Sequence, residues 1–482
     1  MDSKFVQVID SPMGSGKTSW AINFINNLPS NKKFIYITPF LAEISRIMKY
    51  CPEKMIIQPA GRKARDFINL IKKGKNISST HALFQRITDE VIDLLKENDY
   101  ILILDEAIVM LEPYEINVRE KAISTKQKKK DTQRLLKLLI QDGTISIDED
   151  NKVIWNKDYC LPGHDELMRL ASRGLLYFID NESLFWTFPA LVFTECFSEI
   201  YVLTYQFSFQ IQYYFFQHFG IAYEKYHIVK ENGEYVKVKT ESNENDYLFI
   251  ENARKLIHIE SSPKLIAKGN YAESTALSKN WYRKNKNKKC SAMLRGDNDC
   301  TNIESLAKGM MSFFEKYNST KETAMWTCYK SDVESFLVAI TVNNSKNNRN
   351  AQFKSIKTKK EDTLEKKATR NPISKNYVVF NSRSTNEFVK RKHIAYMISR
   401  FVDPYVYKFF KLRGYYINLN EIALAEFLQF IWRSAIRNGE EIEIYIPAKR
   451  VRQTLNDWLN HKQIMDNPIV DDTLFEDGFE DY

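Results

Sequence analysis

Short apolar runs separated by amphipathic stretches fill the chain up to about residue 110. Phe5-Val6-Gln7-Val8-Ile9, Lys33 to Thr38 (Lys-Phe-Ile-Tyr-Ile-Thr) and Tyr100 to Leu104 (Tyr-Ile-Leu-Ile-Leu) predict strands. The last is apolar throughout, as a central parallel strand covered on both faces requires. Ser19-Trp20-Ala21-Ile22-Asn23-Phe24-Ile25 predicts a helix. Strand alternating with helix implies an α/β sheet with right-handed crossovers. Residues 112–190 change character, being charged, helix-like and partly basic, and predict a helical insertion over about 112–195. A strand returns at Ile200 to Tyr205. The turn Glu231-Asn232-Gly233-Glu234, between Tyr226-His227-Ile228-Val229 and Tyr235-Val236-Lys237-Val238, predicts a hairpin.

From about residue 255 a second α/β pattern runs through Ala324-Met325-Trp326-Thr327 and Tyr377-Val378-Val379-Phe380 to Ile442-Glu443-Ile444-Tyr445-Ile446. Residues 343–370, rich in Asn and Lys without apolar periodicity, predict a mobile loop. The expected organisation is lobe one over 1–215, a connecting segment with the hairpin over 216–254, lobe two over 255–460, and a tail over 461–482.

The first strand runs into Ser11-Pro12-Met13-Gly14-Ser15-Gly16-Lys17-Thr18-Ser19. Strand, Gly-rich loop, Lys-Thr and helix in that order are a phosphate-binding loop. Gly14 and Gly16 let successive N–H groups face a β-phosphate. The helix that follows adds its positive N-terminal end. Lys17 is expected to reach the β- and γ-phosphates of ATP and Thr18 to ligate Mg²⁺. Ser11 stands where the strict pattern has its first Gly. The apolar run to Leu104 ends in Asp105-Glu106-Ala107, which places a carboxylate pair where such an ATPase holds its metal (Asp105) and polarises the attacking water (Glu106).

A third signal is Gln429-Phe-Ile-Trp-Arg433-Ser-Ala-Ile-Arg437. On a helix starting near Ala423, Gln429, Arg433 and Arg437 would share one face, and arginines from a far lobe serve developing charge on a γ-phosphate. Ile431, Trp432, Ala435 and Ile436 form an apolar stripe that would pack this helix on the sheet. Thr38-Pro39, Ser79-Thr80-His81 and Leu203-Thr204-Tyr205 lie at strand ends. The first two stand where a motor touches a nucleic-acid backbone, and the third where a hydroxyl couples nucleotide state to lobe closure. Trp326 is a candidate base-stacking residue, with burial as the plainer expectation.

Composition changes this picture little; charge sharpens it. The chain has 482 residues, 44% of them hydrophobic and 27% charged, including 30 Phe and 26 Tyr, as a globular protein of several domains has. The six cysteines (Cys51, Cys160, Cys196, Cys290, Cys300, Cys328) form no CxxC pair, so neither a zinc site nor a disulfide framework is expected. The absence of a signal-peptide pattern or a long apolar run implies a cytoplasmic protein without membrane contact. The net charge is +9, yet Asp466 to Tyr482 carries seven acids and no Lys or Arg, which leaves +16 on residues 1–465. Basic runs stand at Lys126 to Lys130 and Arg283 to Lys289. A positive body favours a polyanion, DNA over RNA, and the acidic tail offers a surface for a protein partner.

The ordered set Ser11 to Thr18, Thr38-Pro39, Asp105-Glu106-Ala107, Leu203-Thr204-Tyr205 and Gln429 to Arg437 resembles superfamily 2 helicases and translocases. Its loop is similar to that of viral replication-origin-binding helicases. Asn381-Ser-Arg-Ser-Thr-Asn386, Ile431-Trp-Arg-Ser-Ala-Ile-Arg-Asn-Gly439 and Tyr445-Ile-Pro resemble phrases of phage-encoded DEAD-like helicases. The resemblance implies two RecA-like P-loop NTPase lobes, ATP and Mg²⁺ in the cleft, and a nucleic-acid strand contacted by Thr38, Pro39, Thr80, His81, Asn381, Thr385 and Asn386. Three departures stand out: Asp-Glu-Ala is followed by Ile108, the arginines lie at +4 and +8 from Gln429, and Trp432 replaces the usual Gly. The alternatives are an ATP-switched nucleic-acid-binding or defence-complex subunit with little turnover, and a packaging or nuclease-linked motor, for which no acidic cluster stands out.

Overall fold

The computed structural model describes residues 5–114, 125–179, 183–239, 244–262, 274–285, 302–346, 372–380 and 386–465, with positions 265 and 271. These fall into two compact units: unit 1 within Met1–Glu241 and Val402–Ile417, unit 2 within Ser242–Phe401 and Asn418–Val470.

Unit 1 opens with strands β1 (Val6–Asp10), β2 (Lys33–Thr38), β3 (Ile77–Thr80) and β4 (Tyr100–Asp105). After an insertion carrying β5 (Leu111–Pro113), β6 (Ile145–Ile147), β7 (Val153–Trp155), β8 (Leu176–Ile179) and β9 (Ser183–Thr187), it resumes with β10 (Glu199–Thr204), β11 (Tyr223–Glu231) and β12 (Glu234–Lys239). Among the described residues the main sheet has the order β12-β11-β1-β10-β4-β2-β3, parallel except at β12. All six residues of β4 are buried, as its unbroken apolar run predicts. β10 lies between β1 and β4, so the strands that carry the phosphate loop and the carboxylate pair are not neighbours. The core packs Ile9, Trp20, Ile25, Phe34, Ile103 and Leu203 together.

The β11–β12 hairpin turns at Asn232 (φ 50°) and Gly233 (φ 90°), the two left-handed residues that a tight hairpin with the native strand twist requires. It is expected in a connecting segment, but it completes one edge of the main sheet.

The insertion is only partly helical. Helices Thr125–Gln141 and Asp165–Ser172 accompany a three-stranded antiparallel sheet, β5-β9-β8, and a β6–β7 hairpin. It has its own core of Leu136, Leu139, Ile145, Val153, Leu170 and Phe178. Its strands span three to five residues, too short for an alternating pattern to stand out among charged neighbours.

A second departure concerns residues 402–417, expected in lobe two, which belong to unit 1. This strap carries the helix Pro404–Lys411, capped by Asp403, whose carboxylate accepts from the N–H groups of Tyr405 and Val406. Its rings meet the insertion and neighbouring helix: Phe409 packs edge-on against Tyr177 (5.0 Å), and Tyr405 and Phe410 approach Phe185 and Tyr214. Arg413 lies 3.8 Å over the Phe409 ring and donates to the Asp150 carbonyl, and the Tyr415 hydroxyl donates to the Gln217 carbonyl at 3.1 Å.

Unit 2 is built on β13 (Ile257–Ile259), β14 (Ala324–Thr327), β15 (His393–Tyr396) and β16 (Ile442–Tyr445), parallel in the order β13-β16-β15-β14. Trp326 is fully buried in β14 and donates from Nε1 to the Ile373 carbonyl at 2.9 Å, so it is a core residue and not a base platform. Tyr377 to Phe380 contributes only a bridge from Tyr377 to Trp326. Both stems of the strap are pinned in this unit by one arginine, Arg450, 7% exposed. It donates to Ser399 Oγ (3.1 Å) and Arg400 O (2.7 Å) on the incoming stem, and to Leu419 O (2.7 Å) and Asn420 Oδ1 (2.6 Å) on the outgoing one. Most of the expected loop at 343–370, and the acidic tail, lie outside the described residues. Among the described residues no helix is long and apolar enough to cross a membrane.

Candidate functional site

β1 delivers the chain into the loop, and helix α1 (Lys17–Asn27) leaves it. Gly14 (φ 83°) and Gly16 (φ 96°) are left-handed, a conformation that costs an L side chain about 1–2 kcal/mol. Ser11 is buried and its hydroxyl accepts from the Ile228 N–H at 2.7 Å. A glycine would leave that buried donor unpaired, which accounts for Ser in the place of the first Gly. Lys17 Nζ folds back on the carbonyls of Ser11 (2.5 Å) and Pro12 (3.0 Å). Pro12, Met13, Thr18 and Ser19 are half-buried and Gly14 is exposed. The first turn of α1 has no acidic residue to offset its positive end, and the buried Ser15 hydroxyl has no partner among the described residues. An orphan hydroxyl at Ser15 and an uncompensated helix N-terminus beside Lys17 fit a phosphate.

Asp105 closes β4 and is 9% exposed. Thr38 Oγ1 donates to its Oδ2 at 3.2 Å. Burial, reinforced by the negative charges of Glu106 and Glu43, pushes its carboxyl up to about 7, while Lys17 pulls the other way. A buried carboxylate in this state is a natural partner for a cation. Among the described residues no group of three or more His, Cys, Asp or Glu is placed to hold a metal. Glu106 has φ 72°, a strained value for a residue with a side chain, and its N–H donates to Leu203 O at 2.8 Å.

β10 stitches the two motifs together. Leu203 O takes the Glu106 N–H, and Thr204 O takes the Ser11 N–H at 2.9 Å. Thr204 is buried, and Gln210 Nε2 donates both to its Oγ1 and to Tyr205 O at 2.8 Å. Leu203-Thr204-Tyr205 thus sits where carboxylate strand and phosphate loop are held in register.

The strand-end residues are placed differently from expectation. Thr38 is fully buried with its hydroxyl on Asp105, so it supports the carboxylate instead of meeting a nucleic-acid backbone. Pro39 and Thr80 are half-buried, and His81 Nε2 donates to the Asp105 carbonyl at 2.9 Å. Asn381 and Thr385 lie outside the described residues, and Asn386 opens a short turn, Asn386–Phe388.

The shared helix face of Gln429, Arg433 and Arg437 does not form. The helix Leu419–Ile431 stops two residues before Arg433, where Ser434 turns extended and its hydroxyl donates to Ile431 O at 2.6 Å. Gln429 is on the helix and half-buried. Arg433, 4% exposed, donates from Nη1 to Val379 O (3.3 Å) and from Nη2 to Phe380 O (3.1 Å). Arg437 is exposed on the 3-10 turn Ala435–Asn438. Trp432 packs at 4.7 Å on Phe249 and edge-on to Trp458, so helices and not the sheet cover it.

Sequence reasoning passed over Asp10, the last residue of β1. Burial pushes its carboxyl up against the pull of Lys225, 3.9 Å away, and Oδ2 accepts from the Phe207 N–H at 3.1 Å. Its one available signal was an acid directly before the loop.

The strands define an α/β protein with a largely parallel sheet in unit 1 and a second, parallel sheet in unit 2. Residues 251–459 match the family described as the YonV C-terminal Rossmann-like domain. The chain is 31% identical over 471 residues to the SPbeta prophage-derived uncharacterized protein YonV of Bacillus subtilis (strain 168), covering 95% of this chain and 99% of that one. It belongs to the YonV family. Among solved structures, S. tokodaii Xpd4 aligns over 94% of both chains at 15% identity and a TM-score of 0.44.

Proposed function

We propose that this protein is an ATP-dependent nucleic-acid translocase or helicase of superfamily 2, working in the cytoplasm of a bacterial cell in the DNA replication of a virus or mobile element. The observation that supports it most is the joint anchoring of phosphate loop and carboxylate pair on β10, through Thr204 O and Leu203 O. This holds a phosphate site and a water-polarising carboxylate at one end of one sheet. Lys17 exchanges its two carbonyl contacts for phosphate oxygens when ATP arrives. Thr18 and Asp105 would hold Mg²⁺, which would supply charge neutralisation at the phosphates. Thr38 and His81 fix Asp105 by side chain and by carbonyl, and Glu106 takes the proton of the attacking water. The +16 body attracts the polyanion that serves as track, with DNA favoured. Thr80, Asn381, Thr385 and Asn386 are the residues proposed to touch it.

The test is steady-state ATP hydrolysis with and without single-stranded DNA, duplex DNA and RNA, with Lys17→Ala as control. Strong stimulation by one of these establishes the motor and names its track. ATP binding without stimulation overturns it in favour of an ATP-dependent switch.

A further inference from the structure

The phosphate loop is gripped at both ends by the β11–β12 hairpin. At the loop's entry, Ile228 N–H of β11 donates to Ser11 Oγ at 2.7 Å, and Lys225 stands 3.9 Å from Asp10. At its exit, the ring of Tyr235 on β12 lies directly against Gly16, filling the space that a β-carbon there would need. Tyr235 is half-buried and packs against the cluster that contains Trp20 and Ala21 of α1. Between these grips, Gly14 has nothing within 4 Å of the place a β-carbon would take.

We propose that Tyr235 is a positioning residue for the phosphate loop: its ring holds Gly16 in the left-handed conformation the loop requires before any nucleotide arrives. A glycine is free to leave that conformation at little cost, which is why a loop of this type tends to be loose when empty. A ring seated where a β-carbon would stand removes the alternatives, because any swing of Gly16 towards β12 meets it. The work is done by the ring and not by the hydroxyl. Binding then begins from a preformed loop, and less of the binding free energy goes into ordering it.

The inference rests on reading the loop as a nucleotide site, and the experiment separates the two. In the full chain, the affinities of wild type, Tyr235→Phe and Tyr235→Ala are measured for ATP and for inorganic tripolyphosphate, which has no base. Amide hydrogen exchange over residues 13–18 is followed without ligand. Tyr235→Phe should match wild type throughout. In Tyr235→Ala the loop amides should exchange faster. If the competent loop falls to about a tenth of the population, Kd for both ligands should rise about tenfold. Loss of ATP affinity alone would make Tyr235 a base platform and overturn the proposal. Unchanged exchange and affinity would overturn it too. If wild type binds neither ligand, the nucleotide reading falls, while the exchange rates still decide whether Tyr235 sets the loop.

Discussion

Lys17 in unit 1 is half-buried on two carbonyls of its own loop, among backbone held at positive φ at Gly14, Gly16 and Glu106. Arg433 in unit 2 is 4% exposed, with donors committed to Val379 and Phe380, and follows an unstrained helix end. Both cations touch main-chain carbonyls, but the settings are opposite. The first site keeps a strained residue, Glu106, the mark of a place built for something still to come. The second spends its arginine on closing its own structure. A charged motif is therefore informative about chemistry only together with what its charge is already doing.

Four substitutions press on this contrast. The largest effect belongs to Glu106→Gln, which should keep ATP binding while kcat falls by about 10²–10⁴-fold, the worth of a positioned general base. Normal turnover in this variant would remove Glu106 from the chemistry. Arg433→Ala should act on folding, because two half-buried carbonyls lose their donors. A loss of about 1–3 kcal/mol in denaturant unfolding is expected, with kcat and nucleotide affinity declining together. A fall in kcat alone, at unchanged stability, would instead make Arg433 a partner of the γ-phosphate. A third, smaller effect depends on pH. Burial, with help from Arg413 and Lys152, pushes His218 beside the strap down to about 4. Its neutral ring fits the fold, so the unfolded chain takes up a proton near 6.5 that the folded protein refuses until about 4. Stability is thus fully present above about 6.5 and is lost as pH falls towards 4, by an order of 1–2 kcal/mol for this group. Urea midpoints at several pH values should show the slope in wild type and a flatter one in His218→Phe. The smallest effect is expected of Arg437→Ala: the side chain is exposed, and unfolding should shift by less than about 0.5 kcal/mol.

The strand, glycine turn and helix around residues 11–18 were legible because their pattern is local. Eight consecutive residues, a strand before and a helix after, must agree for the loop to work. β4 was legible for a similar reason, since burial on both faces leaves an unbroken apolar run. The end of the helix at Ile431 was not, because tertiary partners set it: Ala435 N–H donates to Arg391 O at 2.9 Å, and Trp432 is drawn onto Phe249. β15 was passed over because four residues, two of them polar or aromatic, carry too little pattern. Tyr235 and Gly16 meet across more than two hundred residues of sequence, and no local spacing announces such a contact. Thr38 shows a subtler limit. Its position at a strand end was foreseen, but the direction of its hydroxyl, towards Asp105, depends on strand order.

The strap bears on how such a gene can be cut and rejoined. The region shared as the C-terminal Rossmann-like domain, 251–459, contains residues 402–417, whose packing partners Tyr177, Phe185 and Tyr214 are encoded far upstream. A recombinant that inherits this region from a different lineage brings Tyr405, Phe409 and Phe410 to rings they did not evolve against. The two halves are therefore linked in inheritance by a helix one of them encodes and the other houses, and exchange between related genes should spare chains that change both together.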